Sequence, residues 1–232
     1  MSLIIFLIVV FGNVWLWKMF NFNSVLGFLM LAASILLYLY SQRENGFLLA
    51  GFLIILILGL FRGCGLQQPI LGLNEQETLL SQQRLNEYPP ITWLPIAHWL
   101  EERRETVGFY KLIGNFSEVV NPNLYFFANH PRERAAVIEI EKFSYILLPL
   151  FIFGTFLFVS EGKVAFFVSS FFIPLIYYSI VGIYGKIDPY LLFPFITVTI
   201  SKGFSQLKKD LLIVFLILFV LVLTQSFIYA KF

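Results

Sequence analysis

Seven stretches of this chain contain no Asp, Glu, Lys or Arg, and most are long enough to form a membrane helix. A helix needs about 20 residues to cross the hydrocarbon core, or about 17 when flanking side chains reach back to the interface. The pattern therefore predicts an all-α membrane protein with six or seven transmembrane helices. The stretches are residues 2–17, 24–42, 47–61, 143–160, 164–185, 189–201 and 211–230.

Composition supports a lipid environment for these stretches. Apolar residue types make up 59% of the chain and charged types only 13%, whereas about one-quarter of the residues of an ordinary soluble domain are charged. Three regions follow from the charge distribution. Residues 1–62 form an N-terminal three-helix membrane region, residues 63–142 a hydrophilic segment, and residues 143–232 a membrane region of three or four helices.

The stretch 189–201 is the shortest of the seven and contains Pro189 and Pro194. We expect a short or kinked span here, and a re-entrant half-helix is the alternative. Non-helical backbone at membrane depth has to be shielded by protein, so a re-entrant segment would pack against other helices.

The basic residues of the short loops predict the orientation. With seven spans, Arg43, Lys163 and Lys202 fall on one side, while Lys18 and the long segment fall on the other. The more basic side should face the cytoplasm, which places the long segment outside. If 189–201 does not cross, the assignment reverses.

Within the long segment, proline positions suggest short helices that lie on the bilayer surface. The stretch 107–127 mixes apolar residues with Gly108 and Gly114, and predicts short strands or irregular loop. Asn121, Pro122 and Asn123 are typical of a turn.

Two clusters in this segment carry residue types that are used in catalysis. The first comprises His98, Glu101, Glu102, Arg103 and Arg104. Helical spacing would bring His98 close to Glu101 and Glu102, as proton transfer requires. A salt-bridged helix at the membrane surface is the alternative explanation.

The second cluster is the better candidate and comprises Asn129, His130, Arg132 and Arg134. Arg132 and Arg134 could bind a phosphate or carboxylate through paired hydrogen bonds, with Asn129 beside them, and His130 could act as a general acid or base. An ordered turn that docks on the bilayer is the alternative.

No cofactor or metal is expected. His98 and His130 are the two histidines of the chain, Cys64 is its single cysteine, and no metal-binding spacing is present. The charge-free stretches also carry no ionisable residue of the kind that drives ion-coupled transport.

Parts of residues 95–142 resemble a family of polytopic membrane proteins of uncharacterised function from candidate-phyla bacteria. The resemblance rests on residues 97–102, 118–127 and 129–134, and it implies a bacterial cytoplasmic membrane without assigning a role to any residue.

These observations lead us to expect a non-catalytic accessory or assembly subunit of the bacterial envelope. Its partners would be the lipid bilayer and another membrane protein, and no nucleic acid, since no basic run is present. A membrane enzyme acting on a lipid-linked anionic substrate is the first alternative, and permeation of a neutral solute is the second.

Overall fold

The computed structural model describes residues 3–62, 78–79, 82–83, 104–127, 141–183, 185 and 187–229, with the backbone alone described at 104–106 and 225–229. Helices and short connections make up these residues, and no strand occurs among them. The all-α prediction is therefore confirmed for the described part of the chain.

The first charge-free stretch forms two helices rather than one. Helix α1 (Leu3–Phe11) and helix α2 (Val14–Phe22) meet at an angle of 58°. Asn13 holds the bend, because its side-chain oxygen accepts a hydrogen bond from the Leu16 amide at 2.8 Å and its Nδ2 donates to Val10 O at 2.6 Å. The asparagine thus caps both helices, which explains the break within an apolar stretch.

Two antiparallel helices follow, each begun by an asparagine. Helix α3 (Ser24–Arg43) starts where Asn23 accepts hydrogen bonds from two backbone amides, and helix α4 (Gly46–Leu60) starts where Asn45 accepts one from Phe47. Glu44 joins them with a φ of 50°. This left-handed residue allows the chain to reverse within two residues.

The hydrophilic segment contributes a long helix where strands or loop were expected. Helix α5 (Arg104–Val120) continues through both glycines, and after a turn at Pro122 the short helix α6 (Asn123–Phe126) follows. The prediction of strands or loop for 107–127 was therefore wrong, whereas the turn predicted at 121–123 is present at Pro122. Two helical glycines cost about 1 kcal/mol each, and packing of α5 against the helix Ile173–Val181 outweighs that cost.

The described residues of the C-terminal region form four helices. Helix α7 (Leu148–Ser160) follows a single 3-10 turn, and helix α8 (Val164–Val181) contains a π-helical turn at Val168–Phe172. Pro174 lies just after that turn. Since proline removes one helical hydrogen bond and crowds the preceding turn, it accounts for the local widening.

Helix α9 (Phe193–Ser205) lies at the centre of the bundle, and helix α10 (Lys209–Tyr229) lies at its edge. All but two of the thirteen side chains of α9 are buried, against α1, α3 and α7. The expected short span at 189–201 is thus a short helix enclosed by protein. Its length, about 20 Å, follows from the helical rise.

Length and composition identify few unambiguous spans in the described part. Helices α3 and α8 are long and apolar enough to cross a membrane, and the bent pair α1 and α2 makes a third if it acts as one span. Helix α4 and residues 145–160 are apolar but shorter. Two to three candidate spans are therefore established, and the predicted six or seven are not.

Candidate functional site

The nine side chains proposed from sequence all lie outside the described side chains. His98, Glu101, Glu102, Arg103, Asn129, His130, Arg132 and Arg134 lie outside the described residues, and Arg104 contributes only the first backbone position of α5. Both clusters therefore stay predictions.

One end of the bundle is built around the buried indole of Trp15. Its ring makes edge contacts with Phe143 and Phe193, with centroids 5.6 Å away in each case, and lies 6.0 Å from Tyr125. Its Nε1 donates a hydrogen bond of 2.6 Å to Ile187 O. We call Trp15, Tyr125, Phe143 and Phe193 the aromatic end. It ties α2 to the α6, α7 and α9 regions.

A fully buried lysine lies beside this indole. Lys142 has no exposed side-chain surface, its Nζ is 5.8 Å from the centroid of the Trp15 ring, and it donates to Leu124 O at 3.2 Å. A buried cation is expensive unless it is paired and hydrogen-bonded. Sequence reasoning missed it, because it treated Lys142 as the last hydrophilic residue before an apolar stretch.

Two buried carboxylates were also missed. Glu118 in α5 and Asp188 before α9 are each about 95% buried. Asp188 accepts a hydrogen bond of 3.5 Å from the hydroxyl of Tyr178, which itself accepts one from the Leu191 amide. For Asp188, the signal in the sequence was its position as the single acidic residue between Phe166 and Ile200.

The opposite end of the bundle carries a four-residue ion-pair network. Lys163 Nζ lies 3.1 Å from Glu44 and 3.8 Å from Glu161, and it donates to Ser41 O at 2.7 Å. Lys202 pairs with Glu161 as well. We call Glu44, Glu161, Lys163 and Lys202 the charged end. Lys163 and Lys202 thus lie close together through Glu161.

An apolar groove connects the regions of these two ends along the outside of the bundle. Its volume is about 530 Å³, within the range of about 300 to 1,000 Å³ that is usual for small-molecule sites. Val119 and Tyr125 line it near the aromatic end, Phe195 and Ile196 of α9 form its floor, and Lys163 lies at the charged end. We call this cavity the groove.

The π-helical turn shapes one wall of the groove. Val168, Phe171 and Phe172 all line the cavity, and all belong to that turn. Such turns occur frequently at functional sites, because the extra residue redirects neighbouring side chains. The hydroxyl of Ser170 donates to Phe166 O at 2.6 Å and does not face the groove as a free polar group.

The hydroxyl of Tyr125 shows how closed the inner end of the groove is. It donates a hydrogen bond of 2.6 Å to Val119 O, and the side chain is only 5% exposed. Burial raises the pKa of this phenol well above its usual value of 10. The hydroxyl is already hydrogen-bonded within the protein, and the charged residue that lines the groove, Lys163, lies at its other end.

The described residues hold no group of three or more His, Cys, Asp or Glu side chains that could bind a metal ion. No protein-family model, curated protein or solved structure matches the chain.

Proposed function

We propose that this chain is an integral membrane protein that crosses the bilayer seven times. The observation that carries the proposal is the position of the exposed apolar side chains. Ile4, Ile54, Phe156, Ile176 and Leu221 are each 58 to 70% exposed, and they lie on five different helices. Exposed apolar surface on this scale is typical of contact with lipid or with another protein.

The contacts at the two ends support a seven-pass path. Helix α8 starts next to Lys163 at the charged end and reaches Asp188 through Tyr178. Helix α9 then starts at Phe193 against Trp15 and returns to the charged end, where Lys202 meets Glu161. The short central helix thus connects both ends, as a crossing segment must.

The charge distribution supports the orientation within a bacterial cytoplasmic membrane. Arg43, Lys163, Lys202, Lys208 and Lys209 lie at or next to the charged end. Basic residues of short loops are retained on the cytoplasmic side, so the charged end faces the cytoplasm and the long segment faces outward.

The single native cysteine makes this topology testable. In a Cys64→Ser background, one new cysteine at a time is introduced by Gly162→Cys, Gln206→Cys, Asn123→Cys or Lys186→Cys. An impermeant maleimide added to intact cells should label the last two variants and spare the first two. Labelling of Gln206→Cys together with Lys186→Cys would show that α9 does not cross.

For the role of the protein, we propose a non-catalytic accessory or assembly subunit of the envelope. Helix α10 supports this role, because it lies at the edge of the bundle and exposes Ile213, Ile217 and Val220 on the surface away from its neighbours. In mild detergent, the chain from its native membrane should migrate with a second protein in fixed proportion. A lone monomer whose deletion leaves every envelope complex intact would contradict the role.

An envelope enzyme is the second candidate, and the groove favours it. The groove ends at Tyr125 and Phe126, and the sequence continues to Asn129 and His130 within four residues. A lipid-linked anionic substrate could place its tail in the groove and its head near His130, Arg132 and Arg134. If the protein is such an enzyme, His130→Ala should abolish turnover. If it is a non-catalytic subunit, the variant with alanine at His130, Arg132 and Arg134 should show normal growth and normal recovery of the complex.

Permeation of a neutral solute is supported least. A permeation path needs hydroxyl groups that face a common channel. In the central helix, Thr197 and Ser201 instead donate to the carbonyls of Phe193 and Thr197, which belong to their own helix.

A further inference from the structure

We infer that the groove binds one acyl chain of an anionic phospholipid, with the lipid phosphate at Lys163. The inference rests on the proposed membrane location, since only lipid supplies such a chain from the side. The rim of the groove is exposed and apolar, with Val159, Val164 and Val168 between 47 and 69% exposed. Its floor, at Phe195 and Ile196, is buried.

The volume of the groove suits a single hydrocarbon chain. It holds about 530 Å³, within the range of about 300 to 1,000 Å³ that is usual for small-molecule sites. A flexible acyl chain is a ligand of this class.

The lining of the groove matches such a chain chemically. Among the described residues that line it, only Lys163 is charged, and the hydroxyl of Thr155 donates to Phe151 O at 2.8 Å. The walls therefore offer the ligand no unused hydrogen bond along most of the groove. A ligand with polar groups along its length would lose its hydration there without compensation.

The charge of the surrounding surface favours an anionic headgroup. The residues at and beside the charged end comprise Arg43, Lys163, Lys202, Lys208 and Lys209 against Glu44, Glu161 and Asp210, which gives a net charge of +2. A phosphate at this end is attracted by the local field. A headgroup of zero net charge is attracted less strongly by this field.

Lys163 is positioned to accept a phosphate in place of Glu44. Its side chain is 17% exposed, and its partner Glu44 is 65% exposed. An ion pair with so exposed a carboxylate is weak, so a phosphate can displace Glu44 at low cost. Glu161 and Ser41 O would still hold the ammonium in place.

The test uses the full-length protein in phosphatidylcholine vesicles that contain phosphatidylglycerol with a photoreactive group in its acyl chain. After irradiation, labelled peptides are located by mass spectrometry. Label should concentrate in α7 and α8 at residues that line the groove. Thr155→Trp should reduce that label about tenfold, because an indole fills the space that the chain occupies. Phe153→Trp, on the opposite face of the same helix and 40% exposed, should not reduce it.

The headgroup is tested with the same photoreactive chain on phosphatidylcholine. The phosphatidylglycerol probe should label the groove several-fold more strongly, and Lys163→Gln should remove that preference. Lys18→Gln, at a half-buried lysine of α2 outside both the groove and the charged end, is the matched control and should retain it. Equal labelling by both probes in the unmodified protein would overturn the anionic assignment.

Uniform labelling of α4, α7, α8 and α10 would overturn the proposed lipid site. So would labelling that Thr155→Trp leaves unchanged. Failure of the site and failure of the membrane proposal are distinguishable by extraction with alkaline carbonate. A chain that stays in the membrane pellet without groove labelling refutes the lipid site alone. A chain released into the supernatant refutes both.

Discussion

Gly154 on α7 lies against the backbone carbonyl of Thr199 on α9, so close that a Cβ on the glycine would be 2.0 Å from that oxygen. Gly203 makes the reciprocal contact, and a Cβ there would be 2.2 Å from Leu150 O. Two helices therefore approach backbone to backbone at the centre of the bundle. Small residues at helix contacts permit such packing in membranes.

Gly154→Ala should destabilise the protein by about 1 to 3 kcal/mol, because the added methyl group forces α7 away from α9. The measurement is thermal unfolding in detergent micelles, followed by circular dichroism. Gly46→Ala is the control, since no atom lies within 4 Å of the added Cβ. Equal melting temperatures for the two variants would show that the helices separate without cost.

Trp15→Phe should lower the free energy of unfolding by about 1 to 3 kcal/mol. The substitution keeps a ring between Phe143 and Phe193 and leaves the buried carbonyl of Ile187 without its indole donor. Titration with a denaturing detergent measures the change.

Trp17→Phe serves as the comparison for Trp15→Phe. Trp17 also donates to a carbonyl, Phe11 O at 2.9 Å, but the side chain is 40% exposed. Water can replace that donor, so the loss should stay within about 0.5 kcal/mol. The reverse order of the two variants would refute the importance of the buried hydrogen bond at the aromatic end.

Stability should fall with rising pH through the phenol of Tyr125. Burial raises the pKa of this phenol in the folded protein, whereas in the unfolded chain it ionises near pH 10. The stability that this buried phenol contributes is fully present below about pH 10. It is lost progressively as pH rises from there toward the higher pKa of the folded protein.

Tyr125→Phe isolates this contribution. The variant loses the hydrogen bond to Val119 O, worth about 1 kcal/mol, at neutral pH. Its unfolding free energy should then fall less steeply above about pH 10 than that of the unmodified protein. Parallel pH curves for the two proteins, measured by chemical denaturation, would contradict the role of the buried phenol.

Glu161→Gln should weaken the charged end more than Glu44→Gln does. Glu161 is 35% exposed and pairs with both Lys163 and Lys202, whereas Glu44 is 65% exposed and pairs with Lys163. We expect a loss of about 1 kcal/mol for Glu161→Gln and less for Glu44→Gln. The difference should shrink in about 1 M salt, where the screening length is about 3 Å. A larger effect of Glu44→Gln would contradict the central position of Glu161.

The local structure expected from the sequence differs from the observed helices in two stretches, for separate reasons. Residues 2–17 read as one apolar helix, but Asn13 caps two helices at a bend of 58°. Residues 107–127 read as irregular because of Gly108 and Gly114. There, Asn115 donates to Ser179 O at 3.1 Å and anchors α5 on α8, a contact between residues 64 positions apart. Helix propensity is a property of single residues, so it does not predict a contact between distant ones.

The groove was not predictable for a similar reason. Its lining comes from α5, α6, α7, α8 and α9, and residues such as Val119 and Phe195 become neighbours only when those helices pack. The buried Lys142 was visible in the sequence, but its burial depends on Trp15, which lies 127 positions earlier.

The sequence by itself determined that the chain is apolar and helical and that its charges fall between apolar stretches, because hydrophobicity and charge are properties of each residue. Only the tertiary structure decided that α9 is enclosed, that Lys163 lies between Glu44 and Glu161, and that a groove opens between α7 and α8. These features depend on distances between helices. Side-chain shape and backbone contact, as at Gly154 and Thr199, set those distances.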